Sequence, residues 1–530
     1  MAELSVTPQS INEASIIIDE SKATALSGSL NKTQSTFPLS TELSAYPTTT
    51  QMRERFEKRS SDGRIMRRII AEDPNYNLTT VPSLVDLCLK HCSENFEFNP
   101  TSIKYLNEKQ KNRVLDSLST NLPLKVTSYI INEDKYWKKC CHAKWSIVDI
   151  SHYGGSWKRA YFERLLEEII ENFIPGTTYA PRLHEYVTYA APYVYALCIK
   201  QLLPPLKQKK KEKNSDGDSG TESESDNATA LQQTDHLDLT PVLKTLTNLQ
   251  ELSLTYSVKD CGMNFEWSLF QFTIHDCLNL SKAVQQHSNL KVLSLTNSHV
   301  NSEQCRTLAT HLQHHPTLEC LDLSHNFIGY RGTRALSKLV AGKSRINSLN
   351  LTNNRLKSNS GLALAYALAR PECLLIKLNL RLNRIQDEGG VALAKALIHN
   401  SILKELNLAV NDLQENTAGY FAHVLSHNST LTHLDLSNNQ IGVIGSRKLQ
   451  DGMDRNLTLI HLDLRFTGSC QEAEYAISQR IEVNQSKFRK LANEIPELDP
   501  YASGEVTSVA RQQLHPTEYS NEATLRALKI

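Results

Sequence analysis

An excess of charge of either sign is the first thing this chain lacks. Lys+Arg number 58 and Asp+Glu 57 across 530 residues, a formal net charge of +1. Nucleic-acid binding driven by bulk charge needs a basic surplus to neutralise phosphates, so that class is set aside. Long apolar runs are missing too. Ile16-Ile17-Ile18 falls far short of the roughly 20 residues that a helix needs to cross a bilayer. Met1 to Ser10 has no basic start, so neither a membrane span nor a secretory leader is expected. The 11 cysteines are odd in number and follow no framework spacing, which fits reduced thiols in a cytosolic protein.

The signatures of chemistry are absent as well. No G-x-S-x-G elbow, H-E-x-x-H pair or dinucleotide fingerprint occurs. Gly342-Lys343-Ser344 resembles the end of a phosphate loop, but the required glycine five residues earlier is Ser337. Cys88, His91 and Cys92, and then Cys140-Cys141-His142, are residue types that ligate metals. No second pair stands at zinc-finger spacing, and burial in a helical core is the simpler expectation. His311, His314, His315, His433 and His461 are read as surface or partial-core residues. No catalytic, cofactor-binding or metal residue is therefore assigned, and no small-molecule substrate is expected.

What the chain has in abundance is a repeat. The phrase L-x-x-L-x-L-x-x-N-x-L reads Leu318, Leu321, Leu323, Asn326 and Ile328 in one copy and recurs around Asn354, Asn383, Asn411 and Asn439. Degenerate copies carry Ser298 before this series and Thr467 after it. The steps between these seven positions are 28, 28, 29, 28, 28 and 28 residues. That period and consensus mark leucine-rich repeats. Each L-x-L core is expected to form a short strand with its leucines inward, and each asparagine to satisfy backbone groups at the turn. Gly361–Leu368 and Gly389–Leu397 show helical spacing. The fold class expected is α/β, a ribonuclease-inhibitor-like horseshoe of parallel strands with helices outside, preceded by an all-α N-terminal domain. Such a solenoid offers a binding surface.

The expected domain order is a disordered segment over 1–50, a helical domain over 51–205 and a charged linker over 206–233. The repeats follow over 234–470, then a capping helix over 471–495 and an irregular tail over 496–530. The linker joins the basic run Lys207–Lys213 to the acidic, serine-rich run Asn214–Asn227. The basic row from Arg53 to Arg68 reads as a solvated helix face, with docking onto an acidic surface such as tubulin as the other reading. An aromatic insertion from Tyr256 to Leu280 is expected to pack at the mouth of the horseshoe.

On the strand face, one column reads Ser253, Ser294, Asp322, Asn350, Asn379, Asn407, Asp435 and Asp463. It is expected to solvate the face and bridge strands. Lys377, Arg381 and Arg465 are the candidate protein contacts there, because arginine is enriched at interface hot spots. Trp267 in the insertion and Trp157 in the helical domain complete the candidates.

Two resemblances carry function. Leu122-Pro123-Leu124, Cys141-x-x-x-Trp145 and Trp157-Lys158-Arg159 over 122–170 are similar to a degenerate F-box, which implies an Skp1-type adaptor and a ubiquitin-ligase receptor. Ala71–Pro74, His152–Arg159, Asn172–Thr177 and Val258–Trp267 resemble the leucine-rich-repeat subunits of the dynein regulatory complex. That second resemblance, over about 50–495, implies a non-enzymatic scaffold of the nexin link between outer doublets. Its partners would be the other subunits of that complex and doublet microtubules. Its place would be the axoneme of a cilium or flagellum, within the cytoskeleton and cytoplasm.

Overall fold

The computed structural model describes residues 83–205, 235–259, 261, 263 and 270–493. The segments expected over 1–50 and 206–233, the basic row at 53–68, Trp267 and the tail over 496–530 lie outside the described residues.

The described residues open with six α-helices: α1 (Leu84–Glu94), α2 (Glu108–Ser117), α3 (Leu124–Ile130), α4 (Asp134–Lys144), α5 (Trp157–Glu171) and α6 (Ala180–Ala190). Strand β1 (Ala196–Ile199) comes next, then the short α7 (Thr240–Thr245). From there strands and helices alternate. They are β2 (Glu251–Leu254), α8 (Ile274–Gln286), β3 (Val292–Leu295), α9 (Ser302–Leu312), β4 (Cys320–Asp322) and α10 (Tyr330–Val340). Then follow β5 (Ser348–Asn350), α11 (Ser358–Leu368), β6 (Lys377–Asn379), α12 (Gln386–His399) and β7 (Glu405–Asn407). The last are α13 (Glu415–His427), β8 (His433–Asp435), α14 (Gly442–Met453), β9 (His461–Asp463) and α15 (Gln471–Asn493).

The nine strands of the described residues form one parallel sheet in sequence order. Strand leucines such as Leu321, Leu349, Leu378 and Leu406 pair in register and are almost fully buried. The helices lie outside the sheet and pack on their neighbours through small residues. A Cβ on Gly361 would come within 2.8 Å of the Gly389 Cα, so α11 and α12 approach backbone to backbone there.

The asparagines do the work expected of them. The Asn326 amide donates to Leu295 O, Leu323 O and Ser324 O, and its oxygen accepts from Ser298 N and Val300 N. Asn383 repeats this with Leu351 O, Leu380 O, Arg381 O, Asn354 N and Leu356 N. Buried backbone groups at each turn thus find partners across the repeat boundary. In the degenerate copies the Ser298 hydroxyl bridges Tyr256 N and Thr296 O, and Thr467 Oγ1 donates to Leu464 O.

The sheet starts earlier than expected. The expectation placed 196–199 in an all-α domain ending at 205, but these residues are the first strand, and β1 pairs with β2 from Ala196↔Glu251 to Ile199↔Leu254. Val194, Leu197, Ile199 and Leu202 match the repeat phrase with leucine in the asparagine position. The six helices are therefore continuous with the solenoid. Of the aromatic insertion, Tyr256 and Phe272 are buried with ring centroids 4.5 Å apart, while residues from Ile274 onward belong to the first full repeat helix.

The N-terminal edge of the sheet is closed by a comb of glutamates on α5. Glu163 Oε1 accepts from Tyr195 N (2.8 Å) and Ala196 N (2.9 Å), Glu167 Oε1 from Cys198 N (2.7 Å), and Glu171 Oε1 from Lys200 N (2.7 Å). Their spacing of four places all three on one helix face. The carboxylates stand where the carbonyls of a preceding strand would be. At the other end α15 supplies donors: Arg480 Nε to Asn456 O, Asn484 Nδ2 to Leu459 O and Gln485 Nε2 to Ile460 O. The amides of the first strand are thus capped along its length, and at the far end α15 caps the carbonyls just ahead of β9, which blunts both edges of the sheet.

Candidate protein-docking face

The polar column lines up as expected, Asp322↔Asn350↔Asn379↔Asn407↔Asp435↔Asp463. Each of these side chains accepts from the backbone N–H two residues on, as Asp322 does from Ser324 and Asn379 from Arg381. Some also bridge strands: Asn350 Nδ2 donates to Asp322 at 3.0 Å, and Asn407 Nδ2 to Asp435 at 2.8 Å. The column is occupied with itself.

The candidate contacts fall in different surroundings. Lys377 opens β6 and pairs with Glu405 across the strand boundary at 3.0 Å. Arg465 folds back on Asp463, with Nε 3.0 Å from both carboxylate oxygens. Burial alone would raise the Asp463 carboxyl, but the hydrogen bonds from Arg465 more than offset it and hold the group below the ordinary carboxylate value. Arg381 is exposed and has no ion pair among the described residues. Lys377 opens β6 and Arg381 lies two residues past its end, and β9 is three strands on, roughly 14 Å at the usual strand spacing.

Trp157 is not part of that face. It is half-buried at the start of α5, 5.2 Å from the His142 ring and with Lys138 over it at 5.4 Å. The F-box-like stretch does form helices, but its conspicuous residues serve the interior. Lys158 is buried and donates to Ser128 O, Asn132 Oδ1 and Tyr193 OH, and burial pulls its ammonium down to about 8. Arg159 pairs with Glu163 at 2.7 Å. One face of α5 is committed to the edge of β1.

The cysteines and histidines divide in a similar way. Cys140 and Cys141 are buried, and burial pushes their thiols up to about 11 and about 12. Cys88, expected inside a helix interface, is exposed. His315, expected at the surface or partly in the core, is buried. Its Nε2 lies 3.1 Å from Val284 O, and its Nδ1 accepts from Leu318 N. It belongs to a second ladder before the strands, which continues with Asn400, Asn428 and Asn456, each donating back to the previous helix end. The 28-residue spacing of those three asparagines and Asn484 was the available signal for it.

The exit turns after the strands hold a feature the sequence reading missed. Asn297, His325, Asn353, Leu382, Val410, Asn438 and Phe466 all adopt the left-handed conformation, with φ between 48° and 59°. That conformation is costly for a branched residue such as Val410. It is held by bonds to the next repeat, including His325 N to Thr352 O and Val410 N to Ser437 O. Over the first of these turns lies a cavity of about 600 Å³. The His299 ring stacks on Phe327 at 4.6 Å, the Arg355 guanidinium sits 4.0 Å over Phe327, and Phe270 reaches His299 at 6.2 Å. Burial, reinforced by the nearby Arg355 charge, holds His299 below the ordinary histidine value.

One parallel sheet, a helix outside each strand and an asparagine ladder at a fixed step define a leucine-rich-repeat protein. The family model described as Leucine Rich repeat matches residues 314–337, 373–394 and 427–449. The particular relatives are proteins named dynein regulatory complex subunit 5. This chain is 43% identical to that of Homo sapiens over 243 residues, 46% of this chain and 48% of the relative. It is 40% identical to that of Mus musculus over 272 residues, 51% of this chain and 53% of the relative. It is 32% identical to that of Chlamydomonas reinhardtii over 227 residues, 43% of this chain and 50% of the relative. The chain spans about half the length of the curated relatives it matches.

Proposed function

We propose that this chain is a non-enzymatic scaffold subunit of a dynein regulatory complex. The observation that carries the reading is sequence identity of 32% to a Chlamydomonas reinhardtii protein of that name, alongside 43% to the human one. Mechanically, a stack in which each repeat leans on its neighbours suits a part that transmits shear without deforming. In this reading the solenoid docks other subunits of the complex, and the assembly links outer doublets in the axoneme of a cilium or flagellum and regulates its motors. The test is to express the tagged full chain in a ciliated cell deprived of its own copy. Decoration of axonemes at a regular repeat along the doublets supports the reading, and a tag confined to the soluble fraction refutes it. A chain lacking 249–467 should fail to assemble; if it assembles normally, docking through the solenoid is wrong.

A further inference from the structure

The positions that follow each ladder residue form a row along the exit turns: His299, Phe327, Arg355, Arg384 and Asp412, then the uncharged Gln440 and Gly468. Its character changes in order, from aromatic to cationic to acidic. At the aromatic end the Phe327 ring remains 39% exposed although His299 and Arg355 flank it, and it opens on the cavity. Among the described residues no acidic side chain lines that cavity. At the cationic end Arg355 and Arg384 occupy equivalent places one repeat apart. Arg381 and Lys357 lie beside them, and all four are exposed. None has an ion-pair partner among the described residues. The Asp387 carboxylate, three residues after Arg384, is engaged by Gln414 N, Thr417 N and the Thr417 hydroxyl. Asp412 ends the charged part of the row. Clustered cations without counterions next to a half-covered ring call for a ligand that is both anionic and apolar.

We propose that this cavity and the Arg355–Arg384 row form a docking groove for an extended acidic segment of a partner protein. A bulky apolar side chain sits in the cavity against Phe327, and carboxylates beyond it engage the two guanidiniums. From Phe327 to Arg384 is two repeat steps, roughly 10 Å at about 4.8 Å each, and an extended chain covers that in about three residues. The anchor and its carboxylates are therefore close together in the segment. Guanidinium–carboxylate pairing fixes the direction, because Asp412 repels an acid placed one step further. The inference holds whichever assembly the chain enters.

The probe is a fluorescein-labelled Gly/Ser peptide carrying one leucine about three residues ahead of a glutamate pair, titrated with the full chain and read by anisotropy. The paired substitution Arg355→Glu and Arg384→Glu should weaken binding by about tenfold or more. Arg334→Glu with Lys338→Glu on the outer helix α10 makes the same change in net charge and should alter binding by less than about twofold. Phe327→Ala should weaken the leucine peptide and leave a glycine-for-leucine peptide unaffected. If Arg355→Glu with Arg384→Glu unfolds the chain, Arg355→Gln with Arg384→Gln gives the same comparison. Equal loss from the two charge reversals overturns the groove, as does indifference to the leucine. So does binding that emerges only when 206–234 is deleted, tighter capture of single-stranded RNA through the same arginines, or a homodimer that the arginine variants dissolve.

Discussion

Replacing Glu163 by alanine tests the sealing of the sheet at its first strand. This side chain is 1% exposed, and one of its oxygens accepts from Arg159 Nε, Tyr195 N and Ala196 N at 2.7, 2.8 and 2.9 Å. Alanine leaves a guanidinium and two strand amides without their acceptor. Hydrogen bonds to a charged group are worth about 1.5–3 kcal/mol each, and breaking a buried pair costs about 3–5 kcal/mol. These overlap, so a local loss of about 4 kcal/mol is expected. At 1.4 kcal/mol per decade, amides around 195–199 should exchange hydrogen up to about a thousandfold faster. Strands β8 and β9 should keep their protection, because stacked repeats lean mainly on immediate neighbours. Glu163→Gln keeps an acceptor and should fall between. Exchange measured by mass spectrometry decides the matter. Unchanged exchange at 195–199 would refute the carboxylate as the edge partner, and equal loss at β8 and β9 would refute nearest-neighbour stacking.

Other predictions use the same logic. Asn383→Ala removes five bonds to backbone groups, among them the buried Leu356 N, and should lower stability by about 3–5 kcal/mol in urea unfolding. Asn353→Ala, at an exposed position with φ 52°, should cost only about 1 kcal/mol. Burial, with the charges of Glu163 and Glu171 behind it, pushes the Glu167 carboxyl from 4.5 up to about 8. The folded state therefore holds a proton that the unfolded chain releases, and the group's stabilising contribution is lost as pH rises through that window. Glu167→Gln should flatten the stability–pH curve there, and parallel curves would contradict the assignment. Gly452→Ala places a Cβ 2.5 Å from Ala422 O and 2.8 Å from Ala422 Cα, so α14 must move off α13 at a cost of about 2–3 kcal/mol in thermal melts. Gly419→Ala meets only the flexible Lys448 chain at 3.5 Å and should gain up to about 1 kcal/mol from helix propensity.

The repeats were readable because their energetics repeat. Leucines on a fixed strand face and an amide bonded at every turn leave a period of 28 or 29 in the sequence. Strand β1 escaped because its phrase carries Leu202 where the others carry asparagine, and because residues 206–234 separate it from the next copy. The glutamate comb escaped for a different reason. Its residues are spaced like any solvated helix face, and their partners are backbone amides about thirty positions later, which no side-chain pattern marks. Trp157-Lys158-Arg159 reads as a surface motif by composition, yet Lys158 is spent on Ser128, Asn132 and Tyr193 inside the cap. The exit-turn row leaves no pattern in the sequence, because it occupies the position after each consensus residue, where the repeat imposes no side chain. Residue type alone marks Lys377 and Arg465 as contacts, whereas their pairing with Glu405 and Asp463 is a property of registry across and along the strands.

The two covered ends have a dimensional consequence. Nine strands make eight steps, about 38 Å at the usual spacing. Acceptors from α5 cap the first strand and donors from α15 cap the carbonyls that lead into the last, so each rim is occupied by a helix of the chain itself. The body behaves as a gauge block: whatever grips the helical cap and whatever grips the far helix are kept at a stand-off set by the number of rungs.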